Sequence, residues 1–146
     1  MGGTWNTPET IAHLLSFYRS ESAHDRAEVR RFYTFGSGLN AHPDLLHGGV
    51  IACVLDSTMG NVVGLTFQEM RVRGGASMFT AQLNTKYEKP VPTPGTVMAR
   101  AWVKKVEDGG RKVWVEGVVE SGTSGEICNA RAEGLWIRAN PKKEKL

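Results

Sequence analysis

One carboxylate stands apart from the other acidic residues of this chain. Between Asp44 and Glu69, Asp56 is the only acid, and it lies among Val50, Ile51, Ala52, Cys53, Val54, Leu55, Met59, Val62 and Val63. An unpaired buried charge costs several kcal/mol, so such a residue is either held by hydrogen bonds or kept for its chemistry. Asp56 therefore reads in two ways: as a base or nucleophile, or as a structural acceptor for Ser57, Thr58 or a neighbouring strand. Nine residues earlier stands His47-Gly48-Gly49. Two glycines opening a helix let a ligand approach the backbone. The first-turn amides there lack helical partners and carry the positive end of the helix dipole. That arrangement suits an oxyanion developing at a carbonyl under attack. The alternatives are tight packing at Gly48 and Gly49, and a helix cap at His47.

The elements that would position these groups follow from patterning. The apolar residues from Gly48 to about Val63 cover all sides of a helix, which predicts a buried one. Thr7-Pro8-Glu9 resembles a helix start, and Ile11, Leu14, Leu15 and Tyr18 follow at helical spacing, which predicts an amphipathic helix over 8–20. Phe32-Tyr33-Thr34-Phe35 reads as a strand, and 39–46 as a loop punctuated by Asn40 and Pro43. Gly64 to Gly75 reads as an irregular excursion. Beyond it the pattern is β: strands over 77–87, 96–106, 111–120 and 126–138, with turns at Asp108-Gly109-Gly110 and Gly122-Thr123-Ser124-Gly125. The expected architecture is α+β, one central helix wrapped by an antiparallel sheet of roughly five strands.

The 146 residues suit a single domain, 1–146, and composition is that of an ordinary globular chain. The longest apolar run, Val50 to Leu55, is well short of the ~20 residues of a bilayer crossing. A net charge of +3, partly from Lys142, Lys143 and Lys145, gives no basic stripe for nucleic acid. It would help attract a phosphate-bearing substrate. Cys53 and Cys128 sit in apolar surroundings without metal-ligand spacing, which predicts buried thiols in a reducing compartment and no metal. Met1-Gly2 and Glu144-Lys145-Leu146 each fall one residue type short of an address signal, so the expected location is the cytoplasm, with the peroxisome as the lesser alternative.

Leu46-His47-Gly48-Gly49-Val50-Ile51-Ala52-Cys53-Val54-Leu55-Asp56 resembles the signature of the hotdog-fold acyl-CoA thioesterases, of the phenylacetate-pathway type and the related human thioesterase superfamily member proteins. Thr80-Ala81-Gln82-Leu83-Asn84-Thr85-Lys86-Tyr87-Glu88-Lys89-Pro90-Val91-Pro92 is similar to the central strand of that group and its basic-proline exit. The resemblance covers roughly residues 32–138. It implies a hotdog fold, an acyl-CoA substrate, no cofactor, and a homodimer that often pairs again into a tetramer. It also implies roles: Asp56 as nucleophile or general base, the Gly48 amide with Gly49 as oxyanion donor, His47 positioning the thioester, and Thr80 holding the attacking water. Many members carry an Asn six residues before the histidine, where this chain has Ala41. A one-residue loop insertion would bring Asn40 to that place, or His42 would substitute.

Two rival classes remain: a hotdog dehydratase or hydratase, whose helix-borne histidine with a nearby aspartate is not found here, and a non-catalytic acyl-CoA binder that keeps the fold. Arg71, Arg73, Arg111 and Lys112 are candidates for the CoA phosphates. Along one helix, His47 and Asp56 would stand roughly 13 Å apart and on opposite sides. One thioester carbonyl would then need His47 from one chain and Asp56 from another.

Overall fold

The computed structural model describes residues 5–69 and 77–139. Eight strands and one long helix follow in the order β1 (Ile11–Arg19), β2 (Glu28–Phe35), β3 (Asn40–His42), β4 (Leu45–Leu46), α1 (Gly48–Glu69), β5 (Met78–Tyr87), β6 (Gly95–Glu107), β7 (Lys112–Ser121) and β8 (Ile127–Arg138). Six of the strands form one sheet in the order β1-β2-β6-β7-β8-β5, with every pairing antiparallel. The three strands β6, β7 and β8 form the expected meander, and β5 returns to the far edge beside β8.

The N-terminal helix expected over 8–20 is instead strand β1, and the sheet gains a sixth strand by it. The reason lies in the backbone hydrogen bonds. Thr7 and Thr10 close a turn, with Thr10 N–H donating to Thr7 O at 3.1 Å and the two hydroxyls 2.8 Å apart. The carbonyls of Glu9 and Thr10 then accept from Gly38 (2.6 Å) and Gly36 (2.9 Å), not from residues one helical turn ahead. A Cβ on Gly36 would lie 2.5 Å from the Pro8 carbonyl oxygen, so only glycine allows this approach. The chain then pairs from Leu14 to Arg19 against Tyr33 to Glu28. Of the residues that suggested an apolar helix face, Leu14 and Leu15 are 47% and 60% exposed, and only Ile11 is fully buried.

Helix α1 lies on the inner face of the sheet. Val54, Leu55, Met59, Val62 and Val63 are buried against Val97, Ala99, Val115, Val119 and Trp136. Met59 and Leu55 pack over β7, where a Cβ on Gly117 would stand 2.9 Å from Met59 Cγ and 3.3 Å from Leu55 Cδ2. By length and composition the helix would also suit a bilayer, but its apolar side is covered by the sheet.

Two expectations for this region are corrected. The helix continues through Gly64 to Glu69, past the expected end at Val63. The rest of the expected excursion, including Arg71, Arg73 and Gly74-Gly75, lies outside the described residues. Nor is the helix enclosed on every side: Gly49, Cys53 and Gly64 are exposed, and Ala52, Asp56, Ser57 and Gly60 are half-buried. Its outward side carries small and polar side chains, and the apolar count along the sequence hid that side. Cys53, expected to be buried, is on it. Cys128 is half-buried, and burial raises its thiol pKa.

Candidate active site

His47 ends the small β3–β4 hairpin, which stands where a loop over 39–46 was expected, and caps α1. Its carbonyl accepts from Val50 (3.0 Å) and Ile51 (3.3 Å), and its Nδ1 accepts from the Gly49 N–H at 2.8 Å. With Nδ1 used as an acceptor, the neutral ring carries its proton on Nε2 and offers a donor outward. The cap thus engages the Gly49 amide, which the sequence reading had offered as a second oxyanion donor. The Gly48 N–H has no hydrogen-bond partner among the described residues. A helix N-terminus with one open amide and an imidazole N–H beside it can bind a carbonyl oxygen as it becomes an oxyanion.

Two turns along, Asp56 Oδ1 accepts a 2.7 Å hydrogen bond from the Thr80 hydroxyl of β5. The acid is half-buried and the threonine exposed, so the pair is open to solvent. The same strand reaches the other end of the site, where the Tyr87 hydroxyl donates to the Gly48 carbonyl at 2.7 Å. Residues seven apart in a regular strand point to opposite faces. The register of β5 against β8 shifts between Thr80 and Gln82, and this bulge brings both Thr80 and Tyr87 to the helix side.

Asn40 lies in β3 with its Oδ1 accepting from the Thr93 hydroxyl at 2.7 Å. Beside it the Leu39 carbonyl accepts from His47 N–H at 2.9 Å, so Asn40 braces the hairpin that delivers His47. Among the described residues its amide makes no hydrogen bond to α1. His42 is exposed in the same strand. Arg111 is ion-paired with Asp108 at 3.6 Å, and Lys112 begins β7. Among the described residues, no three His, Cys, Asp or Glu side chains converge as a metal site would require.

The chain therefore brings Asp56 to Thr80 and His47 to Gly48 and Gly49, but leaves the two groups some 13 Å apart along one helix. Tyr87 had no assigned role in the sequence reading, although it belongs to the quoted strand motif. Its odd interval from Thr80 was the available signal, and only a bulge makes sense of it.

A long helix laid against a large antiparallel sheet is the hotdog fold, and the sequence comparisons name the superfamily. A family model described as "Thioesterase superfamily" matches residues 44–128, more than half of the chain, and the chain belongs to that superfamily. It is 32% identical over 122 residues to the acyl-coenzyme A thioesterase THEM4 of Rattus norvegicus, covering 82% of this chain and 48% of that protein. The chain thus spans about half the length of the curated relatives it matches. Among solved structures, the BH2602 protein from Bacillus halodurans with CoA is 30% identical at a TM-score of 0.56, covering 83% of this chain and 72% of that one. A phenylacetic acid degradation-related thioesterase fold from Ralstonia eutropha superposes with a TM-score of 0.66 at 19% identity, over 84% of this chain and 83% of that one. At that identity the likeness concerns the fold alone.

Proposed function

We propose that this chain hydrolyses acyl-CoA thioesters to the free acid and CoA. The observation that carries this reading is the hydrogen bond from Thr80 to Asp56 on the open side of α1. With Oδ1 taken by Thr80, Oδ2 is left to accept a proton from water, and the Thr80 oxygen can hold that water beside it. The water oxygen bonds to the thioester carbon as its proton passes to Asp56. The carbonyl oxygen becomes an oxyanion at a Gly48 amide, with His47 Nε2–H beside it. Collapse breaks the carbon–sulfur bond, and the departing CoA sulfur takes the proton back from Asp56. Direct attack by Asp56 through a mixed anhydride is the variant route, distinguished by transfer of labelled oxygen from water into the Asp56 carboxylate in a single turnover.

Because the two halves of the site lie far apart on one helix, the working unit in this proposal is a homodimer, which can pair again into a tetramer. Each carbonyl is then bound by the helix end of one chain and attacked from Asp56 of the other. The uncovered small-residue side of α1 and the exposed edge strand β5 support it. Cytoplasmic residence is part of the same reading, supported by the two unpaired thiols.

Asp56→Asn tests the proposal. Asparagine keeps the shape and can still accept from Thr80, so thermal melting should hold within a few degrees while thiol release from acyl-CoA falls by about a thousandfold or more. Turnover near wild type would remove Asp56 from the chemistry.

A further inference from the structure

On the other flank of α1 from Thr80, residue Ser57 faces a groove of about 490 Å³ between the helix and strands β1 and β2. Its walls include Trp5, Ile11, Leu14 and Tyr33. Arg31 of β2 reaches the same place. Its Nη1 donates to Ser57 Oγ at 2.9 Å and to the Tyr33 hydroxyl at 3.3 Å, and its Nε donates to Ser16 Oγ at 3.3 Å. Three neutral hydroxyls thus fix the guanidinium, and no carboxylate lies within ion-pair distance of it among the described residues. Its neighbour Arg30, on the opposite face of the strand, is paired with Glu28. The two N–H groups of Arg31 Nη2 have no acceptor among the described residues.

A half-buried guanidinium without a counter-ion, held in place with one edge open, is suited to an anion arriving from outside. Asp56 and Ser57 are consecutive on α1, about 100° apart around a helix whose outward side there is Cys53 and Gly60. In the proposed dimer, an acyl chain attacked at Asp56 can follow that low side along the seam between the two helices and enter the groove beside Leu14 and Tyr33. The groove's apolar walls fit methylenes, and the Arg31 guanidinium, bonded to Ser57 and Tyr33 of its lining, fits a terminal charge. We propose that the preferred substrates are ω-carboxyacyl thioesters, with Arg31 as the residue that selects the distal carboxylate. The inference rests on the thioesterase reading above and names its substrate class.

The test compares matched acyl-CoA pairs of about six to ten carbons, one ending in a carboxylate and one in a methyl group, a span set by the ~10 Å helix width. Wild type should favour the carboxylate-ended member at least tenfold in kcat/KM. In Arg31→Gln and in Arg31→Lys, which loses the fixed fork, that ratio should fall toward one, with melting curves recording whether each variant is folded. A wild-type ratio near one, with good turnover of methyl-ended substrates, would overturn this inference and leave the thioesterase reading intact. No thiol release from any thioester would remove both. If Arg31→Gln instead raises KM equally for both members and weakens inhibition by free CoA, Arg31 holds a CoA phosphate and the carboxylate assignment is wrong.

Discussion

Thr80 donates its only hydroxyl proton to Asp56, so its oxygen lone pairs face whatever comes next to the acid. A group that orients water acts on the transition state more than on the bound substrate. Thr80→Ala should therefore lower kcat about ten- to a hundredfold with KM within about threefold, whereas Thr80→Ser should stay within about threefold in both. Steady-state kinetics on one acyl-CoA decides it, and unchanged turnover in the alanine variant would make Thr80 an ordinary strand residue. At this scale the sequence exposed the acid better than its surroundings. Asp56 stood out because its neighbours are apolar, whereas its partner lies 24 positions away and entered through family resemblance alone. Arg31 left no trace, since in sequence it is one of two adjacent arginines, and only strand alternation separates the paired Arg30 from the unpaired Arg31.

Among the elements, the edge strand β1 was misread outright, because apolar spacing in a nine-residue segment fits a helix and a strand about equally well. What decides it is a long-range contact to the glycine corner at Gly36 and Gly38, which local pattern does not contain. Strands β5 to β8 were legible because short turns and β-rich runs are local signals. Glu28, at the start of β2, clasps this end of the sheet together. It is only 3% exposed and accepts from Arg19 of β1 (3.3 Å), Arg30 of β2 (3.3 Å) and Arg100 of β6 (2.8 Å). Burial alone would raise its pKa, but the Arg100 hydrogen bond and the charges of Arg30 and Arg100 outweigh it and hold the carboxyl below the usual carboxylate range. A depressed carboxyl contributes stability above its unfolded-state pKa, near 4.3 for glutamate, and that contribution is lost as pH falls through the lower folded value. Glu28→Gln should thus cost about 2–3 kcal/mol at neutral pH, and the gap to wild type should narrow in acid. Urea melts at pH 7 and in acid measure both, and a pH-independent gap would assign the loss to packing.

For the whole molecule, the decisive question is whether a site is built from one chain or two. His47→Ala and Asp56→Asn homodimers should each be nearly inactive. Unfolded and refolded as an equal mixture, random pairing places about half the chains in heterodimers, each with one intact site and one doubly damaged one. Activity should recover to about one quarter of wild type. Failure to recover, with subunit exchange proved by native mass spectrometry, would confine the site to a single chain. The sequence carried this prediction further than any detail of packing, because the helical rise between two numbered residues is fixed by backbone geometry.

Strand β5 touches the helix at Thr80 and again at Tyr87, across an odd interval that the bulge reconciles. Replacing a residue between them changes one side chain, but adding or removing one would turn either the hydroxyl at Asp56 or the phenol at Gly48 out to solvent. The segment should therefore accept varied side chains while refusing any change of length. Insertions that a surface loop absorbs at little cost would here separate the acid from its hydroxyl partner without disturbing either residue's identity.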